Sequence, residues 1–439
     1  MKKIDLKYFM IIGLLSIISA INAQKRMHIS LSDVLKVAET NNGEIRLADL
    51  EHKISDANYR QTDATYLPQV NIGLNFVNTN NPLNAFGFLL QQSRVTSTDF
   101  DPEKLNSPGA RQNYNSSIDV RLPLINLDMF YARKGAKLQA ESYKYKALYT
   151  RDYINFEIQK IYIQLQFAYV SETILKSTLN DVKQIHQSVT NFYNKGLVQQ
   201  SDVLNAQVQI NTIESALEKS KNSINNASEG LAYFMGDTIS GKVYVPDTLL
   251  QYGGKNFVGT LSLERSDVVA MHKAVDSYNM MVKSSRMNFL PKLNAWGSYQ
   301  YNDSKAFRFN NDSYMLGISL TWNVFTGNQN RYKLKTAILQ RDKYQKEMNQ
   351  YLDKSRLEIN KNQREIQDLM FEIQKNEASV NQSTEAFRIM SNRFKEGLTS
   401  TNDLLLSQAQ LYQQRILLAQ SIMNFNIAQS YQEFLTNVK

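Results

Sequence analysis

Few residues in this sequence are placed to do covalent chemistry. The four histidines, His28, His52, His186 and His272, show no ligand spacing, and His186 falls on an apolar stripe where a packed or pore-edge residue fits. Gly253-Gly254-Lys255 carries glycines and a lysine but lacks the frame of a phosphate loop. No nucleophile stands beside a base in any recognisable arrangement, so no enzyme, cofactor site or metal site is expected. There is no Cys, which excludes disulfides, thiolate metal sites, thiol catalysis and acylation of a cysteine after an export signal. The acids that do stand in a pattern are Asp202 and Asp403. Each sits at the same place in a fifteen-residue stretch that occurs twice, Tyr193 to Gln207 and Phe394 to Gln408.

In both copies an aromatic residue, Gly-Leu (Gly196-Leu197; Gly397-Leu398), the Asp, a Val/Leu-Leu pair and a Gln fall at equal spacing. The glycine suits a left-handed residue ending one helix. The Ser, Thr, Asn and Asp that follow supply N-cap candidates for the next. Each stretch therefore reads as the tip of a helical hairpin, and two copies imply a repeated architecture.

The elements around the tips repeat as well. Ser30 to Tyr66 is expected to be one helix, stopped by Pro68. Val70, Ile72, Leu74 and Phe76 then alternate with polar residues as a strand. A long loop is expected over 80–113, and Ile118, Val120 and Leu122 mark a second strand. Between Met129 and Tyr193 the apolar positions keep 3-4 spacing, the period of a coiled coil, over a helix roughly 100 Å long at ~1.5 Å per residue. The returning helix spans Asp202 to Met235. After the glycine-rich residues 237–262, with a short strand expected at Lys242–Val245, the order recurs. Leu263 to Leu290 is helical, Leu293 to Tyr301 and Leu316 to Trp322 are strands, and two long helices flank the second tip. Tyr143, Tyr145, Tyr149 and Tyr153 are expected to pack between helices.

The expected organisation is thus a signal peptide at 1–23, a first repeat at 24–236 with its β-hairpin at 69–122, a connector at 237–262 and a second repeat at 263–439 with its hairpin at 292–322. The signal peptide rests on Lys2, Lys3, Lys7 and the apolar run Tyr8 to Ala20, too short to span a bilayer. Removing it lowers the formal charge from +9 to +7. That surplus is scattered among nearly as many acids, so nucleic acid is not an expected partner. No later apolar run approaches 18 residues, so any mature membrane span must be made of strands.

Strands with one apolar face match membrane-spanning strands, but four cannot close a barrel, and open edges in lipid leave backbone groups unpaired. Two copies of the chain would give eight strands and a filled barrel; three would give twelve and a water-filled lumen. That lumen would be lined by Asn71, Asn75, Asp119, Arg121, Asn294, Gln300, Ser319 and Thr321. Trp296 falls on the same polar face and fits it poorly. A soluble antiparallel sheet has the same periodicity.

Export signal, duplicated helix-strand-strand-helix-helix units, paired Leu-Pro strand starts (Leu67-Pro68, Leu290-Pro291) and twin Gly-Leu-x4-Asp tips together resemble the TolC-type outer-membrane efflux proteins. The resemblance covers essentially the whole mature chain. It implies an α+β membrane protein, a homotrimer with a 12-stranded outer-membrane β-barrel continued by a periplasmic α-helical coiled-coil barrel. It implies as partners a periplasmic adaptor protein, an inner-membrane transporter and outer-membrane lipid. Asp403 matches the position at which an acid from each protomer rings the periplasmic constriction, with Asp202 as its twin. Where the pattern has a further acid one turn later, Leu406 stands instead. Gly196, Leu197, Gly397 and Leu398 match the tip residues that meet the adaptor. The implied function is a passive exit duct for small molecules. A duct for a secreted protein needs the same tube, and an envelope coiled coil without a pore would need only the helices.

Overall fold

The structure is a computed structural model, and it describes residues 26–237, 241–248, 250–251 and 259–436. The expected signal peptide and Gly253-Gly254-Lys255 lie outside these residues. The chain forms two compact units. One takes in the chain up to Leu50, Lys146–Val268 and Gln350 onward; the other is Glu51–Tyr145 with Val269–Asn349.

In chain order the elements are β1 (Arg26–Ile29), α1 (Leu31–Asn41), α2 (Gly43–Gln61), β2 (Gln69–Thr79), α3 (Pro82–Gln91), α4 (Pro102–Asn106), β3 (Arg111–Ile125), α5 (Leu127–Asn194), α6 (Gln200–Phe234), β4 (Val243–Pro246), α7 (Ser266–Met287), β5 (Lys292–Asp303), β6 (Asn311–Thr321), α8 (Gln329–Lys395) and α9 (Thr401–Thr436). A helix, two strands, a long helix and a returning helix occur in this order twice. Two expectations need correction. Ser30 to Tyr66 is not one helix, because Asn42 leaves the helical region (φ −59°, ψ 130°). Its side-chain oxygen accepts from the backbone N–H of Glu44 and Ile45 at 2.9 and 3.0 Å, capping α2, while its amide donates to the Phe234 carbonyl at 2.8 Å. One buried Asn thus ends α1, starts α2 and ties off the last turn of α6. The second correction concerns 80–113, which is not simply a loop. It holds α3, with Pro82 in its first turn and Asn81 as its N-cap, a 3₁₀ turn at Ser97–Phe100, and α4.

In the helical unit the heptad positions are the core. Ile158, Leu165, Ala168, Leu175, Val182 and Val189 of α5 are at most 3% exposed. They meet Ile210, Ile213, Ile224 and Leu231 of α6, also buried. Val34, Ala38 and Ile45 join the same cluster, so the short helices and α6 share the long helix α5 between them. β1 and β4 pair in parallel beside it, one residue on from the expected short strand. α8 and α9 form a second cluster around Ile366, Ile373 and Phe425. Tyr149 and Tyr153 pack on Phe434, as inter-helix aromatics should.

The second unit holds a four-stranded antiparallel sheet in the order β2-β3-β5-β6, so each repeat's hairpin lies beside the other's and β2 and β6 are the edges. The register puts every expected apolar residue on one face, in rows such as Ile72–Ile118–Tyr299–Tyr314 and Leu122–Ala295–Ile318. These side chains are bare: Ile72 is 78%, Leu316 76% and Ile318 70% exposed. Aromatic residues gather at both ends of this apolar face. Phe76, Tyr114, Tyr299, Tyr301 and Tyr314 lie towards the far end of the strands. Trp322 and Phe325, exposed with Phe289 and Tyr66, lie where the strands meet the helices. Trp322 donates its indole N–H to the Phe289 carbonyl at 2.9 Å. Strands of 11 residues, tilted ~40°, rise about 28 Å, the thickness of a bilayer's hydrocarbon core.

The opposite face carries the polar rows Asn71–Asp119–Ser298 and Asn75–Asn115–Asn302. Trp296, the apparent misfit, is explained by its cross-strand neighbour Gly317. A Cβ built on Gly317 would lie 2.7 Å from Trp296 Cζ2, so the indole covers the backbone that glycine leaves bare. Gly317→Val is therefore expected to cost about 1–3 kcal/mol by overpacking. Trp296→Ala should restore part of the loss in the double variant. Thermal denaturation of detergent-solubilised single and double variants reads the coupling; strictly additive losses would mean the two residues do not interact.

Candidate functional site: the paired hairpin tips

Both tips are built by the same backbone rule. In the first, Gly196 stands at φ +72°, its N–H bonds to the Tyr193 carbonyl at 2.8 Å, and the Leu197 N–H bonds to Phe192 at 2.9 Å. In the second, Gly397 is also at φ +72°, with Gly397 N–H to Phe394 at 3.0 Å and Leu398 N–H to Arg393 at 2.8 Å. This 6→1 and 5→2 pair is the Schellman motif, and it requires a left-handed residue, hence the glycine. The motif often seats its next residue on the helix. Here Leu197 and Leu398 stay 67% and 66% exposed, so the turn presents them to solvent instead.

The acids take the third helical position after each turn. The Asp202 carboxylate accepts from the Gln199 backbone N–H at 3.0 Å, closing a capping box at the start of α6. Asp403 accepts from the Ser400 hydroxyl at 2.7 Å and the Thr399 hydroxyl at 3.4 Å. The Ser400 oxygen in turn accepts from the Asp403 N–H at 3.1 Å. The Ser400 hydroxyl holds the Asp403 carboxyl below the usual carboxylate range. Both hydroxyls bond to Oδ2. Asp403 is exposed, as is Leu406 one turn on at 69%.

The structure brings the two tips together. Ile185, Val189, Ala206, Phe394, Leu404 and Leu405 form one buried cluster, flanked by Phe192, Val203 and Met390. The Phe192 and Phe394 rings stack obliquely with centroids 5.3 Å apart. Asn205 donates to the Asn402 side chain at 3.3 Å across the pair. This corrects the aromatic match between the copies: Tyr193, placed on the core stripe by sequence, is 41% exposed, and its neighbour Phe192 meets Phe394. Between the tips runs a groove of about 810 Å³, lined by Leu197, Asp202, Asn205, Gly397, Thr401 and Asn402 among others. Sequence reasoning missed Thr401. It is 2% exposed, lines this groove, and its hydroxyl has no hydrogen-bond partner among the described residues. Nothing in the sequence singles out one threonine of the Thr-Ser-Thr run as buried.

Among the described residues no group of three His, Cys, Asp or Glu could hold a metal ion. No described helix is long and apolar enough to cross a membrane.

Comparison with solved structures finds the same fold in outer-membrane channels. An outer-membrane channel of Campylobacter jejuni, CmeC, superposes with TM-score 0.80 at 16% identity, over 92% of this chain and 85% of that one. VceC, an outer membrane protein of Vibrio cholerae, gives 0.78 at 18% identity over 92% and 96%. A membrane protein of Pseudomonas aeruginosa gives 0.81 at 17% identity over 95% and 92%. Among curated proteins none matches the sequence. The outer membrane efflux protein family matches residues 34–237 and 258–429, which take in both hairpins, both tips and all but the ends of the long helices' bundle. This chain belongs to the outer membrane efflux protein family.

Proposed function

We propose that this protein is the outer-membrane exit duct of a tripartite efflux pump, passively conducting small molecules. The sheet carries this reading. It has a bare apolar face between two aromatic girdles, a polar opposite face, and two edges without partners among the described residues. Contiguous exposed apolar surface of this extent is unusual on a soluble monomer, and lipid is the medium that covers such a band. Lipid cannot satisfy the open edges. Because the four strands alternate in direction, β6 of one protomer can pair antiparallel with β2 of the next. Three protomers then give a closed 12-stranded barrel with the polar rows inside. In the same reading the helical hairpins of three protomers form a periplasmic coiled-coil barrel, and an inner-membrane transporter drives the flux.

The tips supply the remaining parts. Three Asp403 carboxylates converging on one axis would favour cations and repel one another, a bias on a gate. Leu197 and Leu398, exposed beside glycines that allow close backbone approach, suit docking of a periplasmic adaptor.

The direct test is the size and conductance of detergent-extracted protein. A trimer that conducts in planar bilayers is expected; a soluble, non-conducting monomer would end this reading. In that channel Asp403→Ala should weaken block by divalent cations severalfold. Within one protomer the Ser400 hydroxyl lowers the Asp403 carboxyl, whereas two sister acids on the axis would raise it, so block should fade on acidification as the ring takes up protons. Identical traces from parent and variant would leave Asp403 as a helix cap alone. A photo-crosslinker placed at Leu197 or Leu398 is expected to capture a co-expressed periplasmic adaptor. Silence from both positions would remove the tips as the docking surface.

A further inference from the structure

One element of the sheet unit lies where an open duct would leave space. The inner face of α3 carries Ala85 and Leu89, which are 1% and 7% exposed, and continues in line to Gln92 at 3%. Gln92 donates from Nε2 to the Gln112 carbonyl at 2.8 Å and to Asn113 Oδ1 at 3.0 Å. Asn113 donates to Asn302 Oδ1 at 2.8 Å, and Asn115 reaches the same oxygen at 3.1 Å and Gln300 at 3.0 Å. The four side-chain partners, Asn113, Asn115, Gln300 and Asn302, lie on the polar face of the sheet. α3, which packs on β3 and β5, is therefore latched over the polar face at the end of the strands remote from α5. It does not lie on the girdled apolar face, so lipid is not its cover.

The outer face of α3 is bare and carries two leucines beside the exposed Asn84 and Gln91. Leu83 is 82% and Leu90 56% exposed, two turns apart on one side. Gly87 lies between them, and a Cβ there would meet nothing within 4 Å. Such a stripe, pointing away from the sheet on its inner side, faces the axis of a closed barrel.

We propose that the α3 helices of three protomers meet on this stripe and plug the distal mouth of the duct. The proposal rests on the trimeric barrel of the preceding section. Twelve strands spaced ~4.8 Å and tilted ~40° close on a circumference of about 75 Å, a bore about 24 Å across between backbones. Three helices about 10 Å in diameter, side by side, fill a circle about 22 Å across. The occupant of each stripe is thus the stripe of the two sister chains, and Gly87 allows the close approach that so narrow a bore demands. With Leu83 and Leu90 turned inward, the constriction is apolar, the kind that stops ions by excluding water. The latch consists of neutral amides for which water is a ready alternative partner, so it can open without breaking an ion pair.

The absence of native cysteine makes the test clean. Leu83→Cys and Leu90→Cys, introduced singly into the full chain, each give one thiol per protomer, and Leu320→Cys on the lipid face serves as control. Oxidation of the extracted trimer is expected to link the α3 thiols into disulfide dimers on a denaturing gel and to leave the control unlinked. The linked Leu83→Cys channel should carry at least threefold less current in planar bilayers than after reduction. Gln92→Ala, which cuts the latch, should lower the crosslinking yield at least threefold. A trimer whose α3 thiols do not link, or whose current ignores the link, overturns the plug and leaves the duct reading intact. A monomer by light scattering overturns the duct reading, and the plug with it.

Discussion

A four-stranded sheet with two open edges and one oily face is not a finished structure. Every edge N–H and C=O of β2 and β6 needs a partner, and the apolar face needs a medium that supplies none. Closure of the strands of several protomers around a polar interior, as proposed above, meets both demands at once. Much else in the sheet unit follows from that requirement. The pairing of β3 with β5 joins the two repeats into one continuous four-stranded sheet instead of two separate hairpins. Glycines fall where side chains of the neighbouring strand lie flat, Gly317 under Trp296 and Gly297 under Leu316, so the sheet gains close cross-strand cover on both faces.

The helical unit meets a different demand, length without a large core. α5 and α8 run 68 and 67 residues, and no globular interior could bury such helices on all sides. They bury instead one heptad stripe against a returning helix, leaving the other faces for neighbours. The interruption at Asn42 belongs to the same scheme. α1 with α2 and α6 must together match the reach of α5, and where they abut each leaves terminal backbone groups unpaired. A single buried amide, with one acceptor and two donors, serves both ends at once.

How much of this was legible in the sequence divides by the range of the interactions. Period-2 and heptad patterns report side-chain direction, and they place the strands and the long helices where the structure has them. The polar rows, including Asn71, Asp119 and Asn294, also emerged on one face, because alternation fixes side-chain direction whatever the partner strand. What failed was long-range. Asn42 looked like one more polar residue in a helix, because its partner, the Phe234 carbonyl, lies 192 residues away. Pro82 and Asn81 announce the start of α3, but a polar, proline-bearing stretch outweighed them, and its anchor Asn113 is 21 residues beyond Gln92. Trp296 looked wrong on a polar face until Gly317 was found beneath it. At the tips, spacing locates the turn and the acid, but the buried aromatic is Phe192, which keeps the 3-4 register of Ile185 and Val189, and not Tyr193 one residue on.

The twin tips carry a wider lesson about repeated motifs. Gly-Leu-x4-Asp recurs because a Schellman turn followed by a new helix needs a left-handed residue and then an acceptor for exposed N–H groups. Capping alone explains the spacing in both copies, so the repetition is no argument for function. Function enters where the copies have more than capping requires. Neither exposed leucine is needed to close the turn. The hydroxyls of Ser400 and Thr399 engage Oδ2 of Asp403, and a carboxylate has further lone pairs to offer an ion. The burial of Thr401 with an unpaired hydroxyl costs free energy that the isolated hairpin does not recover. In the proposed assembly a neighbouring protomer completes the sheet edges, and an adaptor covers the two exposed tip leucines.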